Sequence, residues 1–354
     1  MYAKLTYSLL IAAAAGLTAC TSDADGIGSA ADGFEVRFIA DARSRAVVES
    51  GSTVKNTPFA VYGEFVSTED ATATPVQLFK GTQVTYTDGS WKYNNPQYWF
   101  PAMTYSFIAL HPAADPAGLT NKEYSDNQLS FIYSLPSDYH DATDLLAATH
   151  RRRYTSGATT PVAFNLGHIL SRLNFAVNIS PVAAGAGNSV VIEGFALRKV
   201  STSATYTISP SPITYGDQTE DAAGGWIEHS DPAENAQPLF DLTFDTPILL
   251  SAGDRHEFFP ITGSEALLAI PQMLTPDVVI ELTYHRVLNG IEQPRQIVYG
   301  NLYPMAVTAH GGRWTPGQSY TYTFTLGGEE YIIFNPPTVQ DWNESEGASY
   351  IITD

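Results

Sequence analysis

The sequence predicts an all-β protein. Its 354 residues include 20 Tyr and 17 Phe among many Thr and Val, which are residue types enriched in strands. The 22 Pro and 27 Gly are distributed along the chain as turn residues rather than concentrated in one linker. Short alternating segments, separated by Thr, Asp, Gly, Asn and Pro, are typical of a sandwich or a barrel.

The N-terminus has the pattern of a secretory signal. Lys4 gives a positive start, residues 9–15 form an apolar run too short to span a bilayer, and small residues precede Cys20. The ending Leu17-Thr18-Ala19-Cys20 resembles the lipobox of bacterial lipoproteins, in which the cysteine is acylated and becomes the new N-terminus. We predict a signal peptide over 1–19, lipidation of Cys20 and anchoring at the outer membrane. The alternative is an ordinary cleaved signal with a chance cysteine.

A tether and a first strand follow. Residues 20–33 are small, polar and Gly-rich, which is typical of a flexible tether. In the segment 34–40, Phe34, Val36 and Phe38 lie on one face and charged residues lie on the other. This period-two alternation predicts a half-buried strand. Two arginines among small residues come directly after it.

Further strand candidates continue to residue 334. The segment 144–149 does not continue this regular alternation and is either a short helical turn or a strand. We place a domain boundary near Pro161. The predicted organisation is an N-terminal domain over 34–160, a C-terminal domain over 161–334 and a tail over 335–354. The candidates are 59–65, 82–87, 91–93, 104–111, 129–133, 173–179, 189–196, 204–208, 240–244, 256–261, 266–270, 278–284, 296–303, 319–326 and 331–334.

The charge balance argues against nucleic acid as a partner. The chain has 37 acidic and 18 basic residues and a net charge of −19, whereas phosphates require clustered Lys and Arg. The one basic cluster is Arg151-Arg152-Arg153, which a polar stretch follows. We predict a solvated loop tip there, with a protease-sensitive site or an anionic contact as alternatives.

No motif predicts catalysis. The eight His lack the spacing that would place two of them on one zinc ion, and no Gly-x-Ser-x-Gly, dinucleotide or phosphate-loop sequence is present. The segment 310–313 (His-Gly-Gly-Arg) is similar to the oxyanion segment of some esterases, but no α/β pattern supports it. We predict a non-enzyme without metal or cofactor. The notable aromatic residues are interpreted as core and sheet-face residues, with sugar binding as the alternative: Trp91, Tyr98, Trp99, Trp314 and Trp342.

Several short motifs recur in an order that points to one family. After the lipobox and the Phe-rich first strand, they are Ser44-Arg45-Ala46, Phe59-Ala60-Val61-Tyr62-Gly63, Tyr98-Trp99-Phe100-Pro101, Tyr105-Ser106-Phe107, Asp144-Leu145-Leu146-Ala147, His168-Ile169-Leu170-Ser171-Arg172-Leu173, Trp314-Thr315-Pro316-Gly317 and Tyr320-Thr321-Tyr322-Thr323-Phe324. With this order and spacing, the chain resembles the fimbrillin family of the Bacteroidales, the subunits of type V pili. The match extends over nearly the whole chain.

The resemblance implies two tandem transthyretin-like or Ig-like β-sandwich domains in a subunit of a cell-surface fimbria that serves adhesion. It also implies cleavage after an arginine by a surface protease. We expect the cut between Arg45 and Ala46, which match the family pattern better than the alternative, Arg43 and Ser44. Cleavage would remove the anchor and first strand. The unpaired backbone and apolar surface left behind would capture a strand from the next subunit.

The tail supplies the candidate donor strand. Tyr350 and Ile352 lie on one face of the run 348–353, with Ile351 between them, and the polar stretch before it can reach a neighbouring molecule. The implied partners are other pilus subunits, the outer membrane through the N-terminal lipid, and an arginine-specific surface protease. Three alternatives stay open. The arginines are solvated turn residues that are never cut, the terminal run is an edge strand of its own domain, or the protein is a non-polymerising surface lipoprotein that binds glycans or host proteins.

Overall fold

The structure, a computed structural model, has the all-β architecture that the composition predicts. The residues it describes are 35–42, 52–70, 72–157, 159–180, 188–211, 218–219, 222–231, 239–259, 267–326 and 332–342. Within these ranges, strands form the framework and helices are short and few.

The described elements up to residue 168 form most of a first sandwich. In chain order they are β1 (Phe38–Ala42), α1 (Ser52–Asn56), β2 (Phe59–Ser67), β3 (Val76–Thr87), β4 (Ser90–Lys92), β5 (Met103–His111), β6 (Leu119–Ser125), β7 (Gln128–Ser134), a 3₁₀ turn (Tyr139–Asp141), β8 (Leu146–Tyr154) and β9 (Val162–His168).

The later elements divide between the two halves of the molecule. They are β10 (Ser171–Ile179), β11 (Ser189–Arg198), β12 (Ser203–Pro210), β13 (Gln218–Thr219), β14 (Ala222–Ile227), β15 (Phe240–Ser251), β16 (Arg255–Glu257), β17 (Leu267–Ala269), β18 (Val279–Leu288), β19 (Ile291–Glu292), β20 (Gln296–Asn301), α2 (Tyr303–His310), β21 (Gln318–Leu326), β22 (Ile332–Phe334) and β23 (Thr338–Asp341).

The first sandwich has two sheets. Its eight-stranded sheet runs in the order β1-β9-β8-β5-β2-β3-β4, and β13 also pairs with β8. Strands β1 and β9 are parallel, whereas β9, β8, β5, β2, β3 and β4 are joined by antiparallel pairings. The second sheet, in the order β14-β12-β7-β6, packs on one face of the first through a shared apolar core.

The eight-stranded sheet has a core on each face. Central strand β5 is buried through most of its length because its alternate residues enter different cores. Phe107 joins Phe59 in one core, and Ile108 joins Phe131 and Tyr206 in the core that the four-stranded sheet closes. Strand β12 instead alternates buried and half-buried residues, as a strand with only one covered face does.

The sheets do not follow the predicted division near Pro161. Strand β9 lies beyond that position but belongs to the eight-stranded sheet, and β12 pairs with β7, so that Ala204 lies opposite Tyr133. Strands β12 and β14 therefore contribute to the first sandwich. The physical reason is that β7 and β12 alternate with the same period, so that in this register the buried residues of both strands enter one core.

The second sandwich surrounds the largest core. A sheet in the order β16-β10-β21-β22, joined by β17 and β23, faces a sheet in the order β15-β11-β18-β19, joined by β20. Strands β10 and β21 are parallel, with Phe175 opposite Tyr322. Their side chains pack with Phe195 and Trp314, all of them buried. Whether either sandwich has the transthyretin-like topology stays a prediction.

The prediction of a loop tip at Arg151-Arg152-Arg153 is wrong. These residues lie in β8, and Arg152 is only 6% exposed. Its Nη1 donates to the Thr160 carbonyl at 2.8 Å, and its guanidinium lies 5.4 Å from the centre of the Trp99 ring. An arginine stem is apolar enough to be buried when its head finds an acceptor and an aromatic face, so the basic run is compatible with a strand.

Candidate functional site

The site singled out by the sequence is the seat of the first strand. Strand β1 lies at the end of the eight-stranded sheet, with Phe38 opposite Val162 and Ala42 opposite Leu166. The Val162 amide donates to the Arg37 carbonyl at 2.7 Å. Residues 35–42 are described, and β1 overlaps the predicted strand 34–40 only over 38–40; it begins later than predicted and ends two residues further along.

The other edge of this segment is also engaged. Glu35 forms an antiparallel bridge with Tyr98, and the Val36 amide donates to the Gln97 carbonyl at 2.8 Å. The N-terminal segment therefore lies between β9 on one side and the residues after β4 on the other. A strand inserted between two backbone edges satisfies polar groups on both of them.

Its side chains alternate between core and solvent. Val36, Phe38 and Ala40 are buried, and Arg37 and Ile39 are exposed. The buried row faces the core that also contains Val54 of α1 and the β9 residues Val162, Phe164 and Leu166. The sequence pattern thus identifies the correct face of the strand.

Phe38 is at the centre of an aromatic cluster. Its ring lies 5.2 Å from Phe79, 5.5 Å from Tyr93, 5.7 Å from Phe107 and 5.7 Å from Phe164, measured between ring centres. These contacts come from β3, β5, β9 and the residue after β4. Removing one side chain would therefore leave a space bordered by several parts of the sandwich.

Tyr93 holds the same segment through its hydroxyl. The hydroxyl donates to the Val36 carbonyl at 2.6 Å and accepts from the Gln97 amide at 3.2 Å. Burial raises the pKa of Tyr93 to about 12, so the phenol stays protonated and remains a donor at physiological pH.

Several predicted site residues lie outside the described residues. They are Cys20, Phe34, Arg43, Ser44, Arg45, Ala46, Tyr350, Ile351 and Ile352. The expected cleavage positions fall between Ala42, the last residue of β1, and Ser52, the first residue of α1. Lipidation, cleavage and strand donation at these residues stay predictions, while Val36 and Phe38 are placed together in one core.

The first part of the predicted tail is a strand of the second sandwich. β23 pairs with β21, with Val339 opposite Tyr320. Beyond it, the Trp342 amide donates to the Gly317 carbonyl at 2.8 Å. The Trp342 ring stacks on His168, with ring centres 4.0 Å apart, and His168 Nδ1 lies 2.6 Å from Asp144 Oδ2.

The remaining candidates for chemistry have structural explanations. Gly311 ends α2 with a positive φ of 66°, and the Gly312 amide donates to the Ala306 carbonyl, so the His-Gly-Gly segment is a helix cap. Trp99 and Trp314 are buried, and Trp91 packs edge-on against core residue Phe59.

The described residues contain no cluster of metal-ligating side chains and no helix suited to a membrane. No group of three His, Cys, Asp or Glu side chains in these ranges is arranged to hold a metal ion. No helix in these ranges is both long and apolar enough to cross a membrane.

Two features of the site were not predicted from the sequence. One is the parallel pairing of β1 with β9, which is distant in the chain. The alternation of β9, with Val162, Phe164 and Leu166 buried, indicates a strand but not its partner. The other is the pair of hydrogen bonds that the Tyr93 hydroxyl makes with Val36 and Gln97. A single tyrosine in a polar stretch forms no sequence pattern that would predict them.

Comparison with known proteins gives a consistent result. A profile of the family described as Fimbrillin-like matches residues 44–342. A fimbrial protein from Bacteroides vulgatus is similar in structure, with a TM-score of 0.56, 16% identity, and coverage of 87% of this chain and 99% of that one. A Bacteroides uniformis protein whose name refers to cell adhesion has a TM-score of 0.41, 15% identity, and coverage of 87% and 99%. No curated protein matches significantly. Because the family profile covers most of the sequence, this chain belongs to the fimbrillin-like family.

Proposed function

We propose that the protein is a polymerising subunit of a surface fimbria, exported as a lipoprotein through Cys20 and activated by cleavage after Arg45, with Arg43 as the alternative. Family membership supports a structural, non-enzymatic role as a fimbrial or adhesin subunit at the cell surface. The finer scheme, strand exchange between subunits, is supported by one observation above all. The N-terminal segment 35–42 fills a core position, pairing with β9 through β1 and meeting the residues after β4 through Glu35 and Val36.

The energetics of β1 suit such an exchange. Each buried Val or Phe side chain contributes roughly 1.5–3 kcal/mol before ordering costs, and the segment 35–42 supplies two of them, Val36 and Phe38. Loss of β1 also leaves the β9 edge without its parallel partner. A vacated seat with unpaired backbone and apolar pockets favours capture of another extended segment.

Cleavage and release are separate steps in this scheme. The expected cut lies after β1, so the contacts of Phe38 and the Tyr93 hydroxyl hold the strand after the peptide bond is broken. The incoming donor must therefore displace β1 rather than enter an empty groove. We assign the donor role to Tyr350, Ile351 and Ile352 of a neighbouring subunit.

The base of the tail is anchored in a way that fits this role. β23 pairs on the second sandwich, and the Trp342 ring stacks on His168 of β9 in the first sandwich, so the donor residues follow a fixed point on the surface. The distance from that point to a neighbour is set by the residues after Trp342.

The test is assembly after controlled cleavage. The purified, unlipidated chain is treated with an arginine-specific protease, the cut is located by intact mass, and assembly is followed by electron microscopy and size-exclusion chromatography. Arg45→Lys and Arg43→Lys identify the site, and truncation after Trp342 removes the donor. We expect cleavage after Arg45 to precede loss of the N-terminal fragment and filament growth, and the truncated chain to be cleaved without assembling.

One result would reject polymerisation. If the fragment containing β1 is lost but the remaining chain stays monomeric at high concentration, strand exchange between copies is wrong. A native surface protein that retains acylated Cys20 and β1 would instead favour a non-polymerising surface binder.

A further inference from the structure

A cleft of about 320 Å³ opens at one end of the first sandwich. It lies between the eight-stranded sheet and the turn that joins β6 to β7, away from the seat of β1. Its volume is near the lower end of the roughly 300–1,000 Å³ typical of small-ligand sites. It therefore has room for one small ring rather than an extended chain.

The floor of the cleft is a polar row across three strands. Glu64 of β2 lies opposite Ser106 of β5, and Ser106 lies opposite Arg151 of β8. Residues directly opposite each other in antiparallel strands project to the same face. A carboxylate, a hydroxyl and a guanidinium therefore stand side by side. Two residues further along β2 and β5, Tyr62 and Ile108 continue this face into the apolar core.

The roof of the cleft is a tight hairpin turn. Asp126 and Asn127 connect Ser125 to Gln128 and have φ values of 50° and 58°. Two central residues with positive φ are the hallmark of a type I′ turn, which Asn and Asp tolerate well. The turn thus holds an acid and an amide over the polar row.

Two buried polar atoms of the cleft have no hydrogen-bond partner among the described residues. They are Arg151 Nε, a donor, and Asn127 Oδ1, an acceptor. A buried polar group without a partner is unfavourable, because it has lost its hydrogen bonds to water. Burial raises the pKa of Glu64, and the nearby charge of Asp126 raises it further, while hydrogen bonding by Tyr124 opposes both effects.

A ligand that bonds to the polar row of Glu64, Ser106 and Arg151 needs hydroxyls that both donate and accept. One hydroxyl can accept from the guanidinium of Arg151 while another donates to the Glu64 carboxylate, and both residues line the cleft. An anion would face Glu64 and Asp126, and a cation would face Arg151, so opposite charges on the two sides favour a neutral molecule.

We propose that this cleft binds a neutral monosaccharide or the terminal neutral sugar of a glycan. The binding is independent of strand exchange, because neither β1 nor the tail contributes to the cleft. A subunit that assembles and a subunit that does not would therefore give the same result in a binding test.

The experiment uses the intact protein and a panel of neutral monosaccharides: D-glucose, D-galactose, D-mannose, L-fucose and N-acetyl-D-glucosamine. Binding is measured by saturation-transfer NMR and titration. We expect at least one sugar to bind saturably, with affinity reduced at least tenfold by Glu64→Gln and by Asn127→Gly. Glycine keeps the positive φ of the turn, so Asn127→Gly removes the amide without straining the backbone.

The matched control is Asn289→Gly. Asn289 has a φ of 50° in the β18–β19 turn of the second sandwich, so the same substitution is made in a similar turn far from the cleft. It should leave binding unchanged, and thermal unfolding verifies that all variants are folded. N-acetylneuraminic acid, an anionic sugar, is tested beside the panel. Three results would overturn the proposal: no saturable binding of any neutral sugar, binding that survives both cleft substitutions, or binding of N-acetylneuraminic acid alone.

Discussion

Two terminal strands of the described fold are held by different physical means. The segment 35–42, which includes β1, places Val36 and Phe38 in a core; β1 pairs with β9, and Glu35 and Val36 before it meet Tyr98 and Gln97. β23 lies on the surface of the second sandwich, with Thr338 and Val339 exposed, and the stacked ring of Trp342 follows it. The first sandwich therefore depends on its terminal strand for a complete core, whereas β23 adds a backbone ladder to a core that is already closed.

We expect the two strands to differ most in their effect on stability when each is deleted as a whole. A chain lacking residues 1–45 should lose the cooperative unfolding of the first sandwich or associate with other copies, since the aromatic cluster around Phe38 is uncovered. A chain ending at residue 337 should stay monomeric and keep most of its stability. Size-exclusion chromatography and thermal unfolding measure both. If the two truncated chains had the same thermal stability and the same oligomeric state, β1 would contribute no more to the fold than β23.

A single substitution sharpens the comparison within β1. Phe38→Ala should lower the free energy of unfolding by about 3–5 kcal/mol, the usual cost of removing a buried Phe. Ile39→Ala is the matched control, because Ile39 is 48% exposed on the same strand. Its effect should be about 0.5 kcal/mol or less. Denaturant titration gives both values, and similar losses for the two variants would contradict the proposed burial pattern.

Acid should weaken the first sandwich through His150. Burial, and then the charge of Arg152, lower the pKa of His150 from its ordinary 6.5 to about 4. The unfolded chain therefore binds a proton between these values while the folded chain does not, and stability falls as the pH decreases from 6.5 to 4. The loss approaches about 3 kcal/mol.

The check is denaturant unfolding across this pH range. His150→Gln should flatten the pH dependence, and His140→Gln, at an exposed histidine of the 3₁₀ turn, should preserve it. An unchanged slope in His150→Gln would assign the acid sensitivity to other groups.

The smallest effect is expected at the base of the tail. Trp342→Ala should lower stability by roughly 0.5–1.5 kcal/mol, the range for one aromatic contact. It should also speed hydrogen exchange at the β23 amides without affecting β1. Exchange measured by mass spectrometry distinguishes the two strands. A loss as large as that of Phe38→Ala would mean that β23 supports a core after all.

Much of the local structure follows from residue patterns. The alternation of Val36 and Phe38 with Arg37 identifies the buried face of β1, and the similar alternation in β12 predicts a strand at 204–208. The basic run 151–153 was wrongly predicted as a loop, because three adjacent charges indicate a solvent-exposed segment. An arginine stem nevertheless packs well in a strand. Strand β6 was missed because exposed polar residues such as Glu123 dominate it.

The sequence by itself determined the all-β class, the buried face of the first strand and, through its ordered motifs, the family. Only the tertiary structure decided that β1 pairs in parallel with β9, that β12 and β14 join the first sandwich, and that Glu64 and Arg151 share one cleft. The physical reason is that alternation specifies which face of a strand is buried but not which strand covers or flanks it. Partners distant in the chain are selected by register and packing, which no local pattern contains.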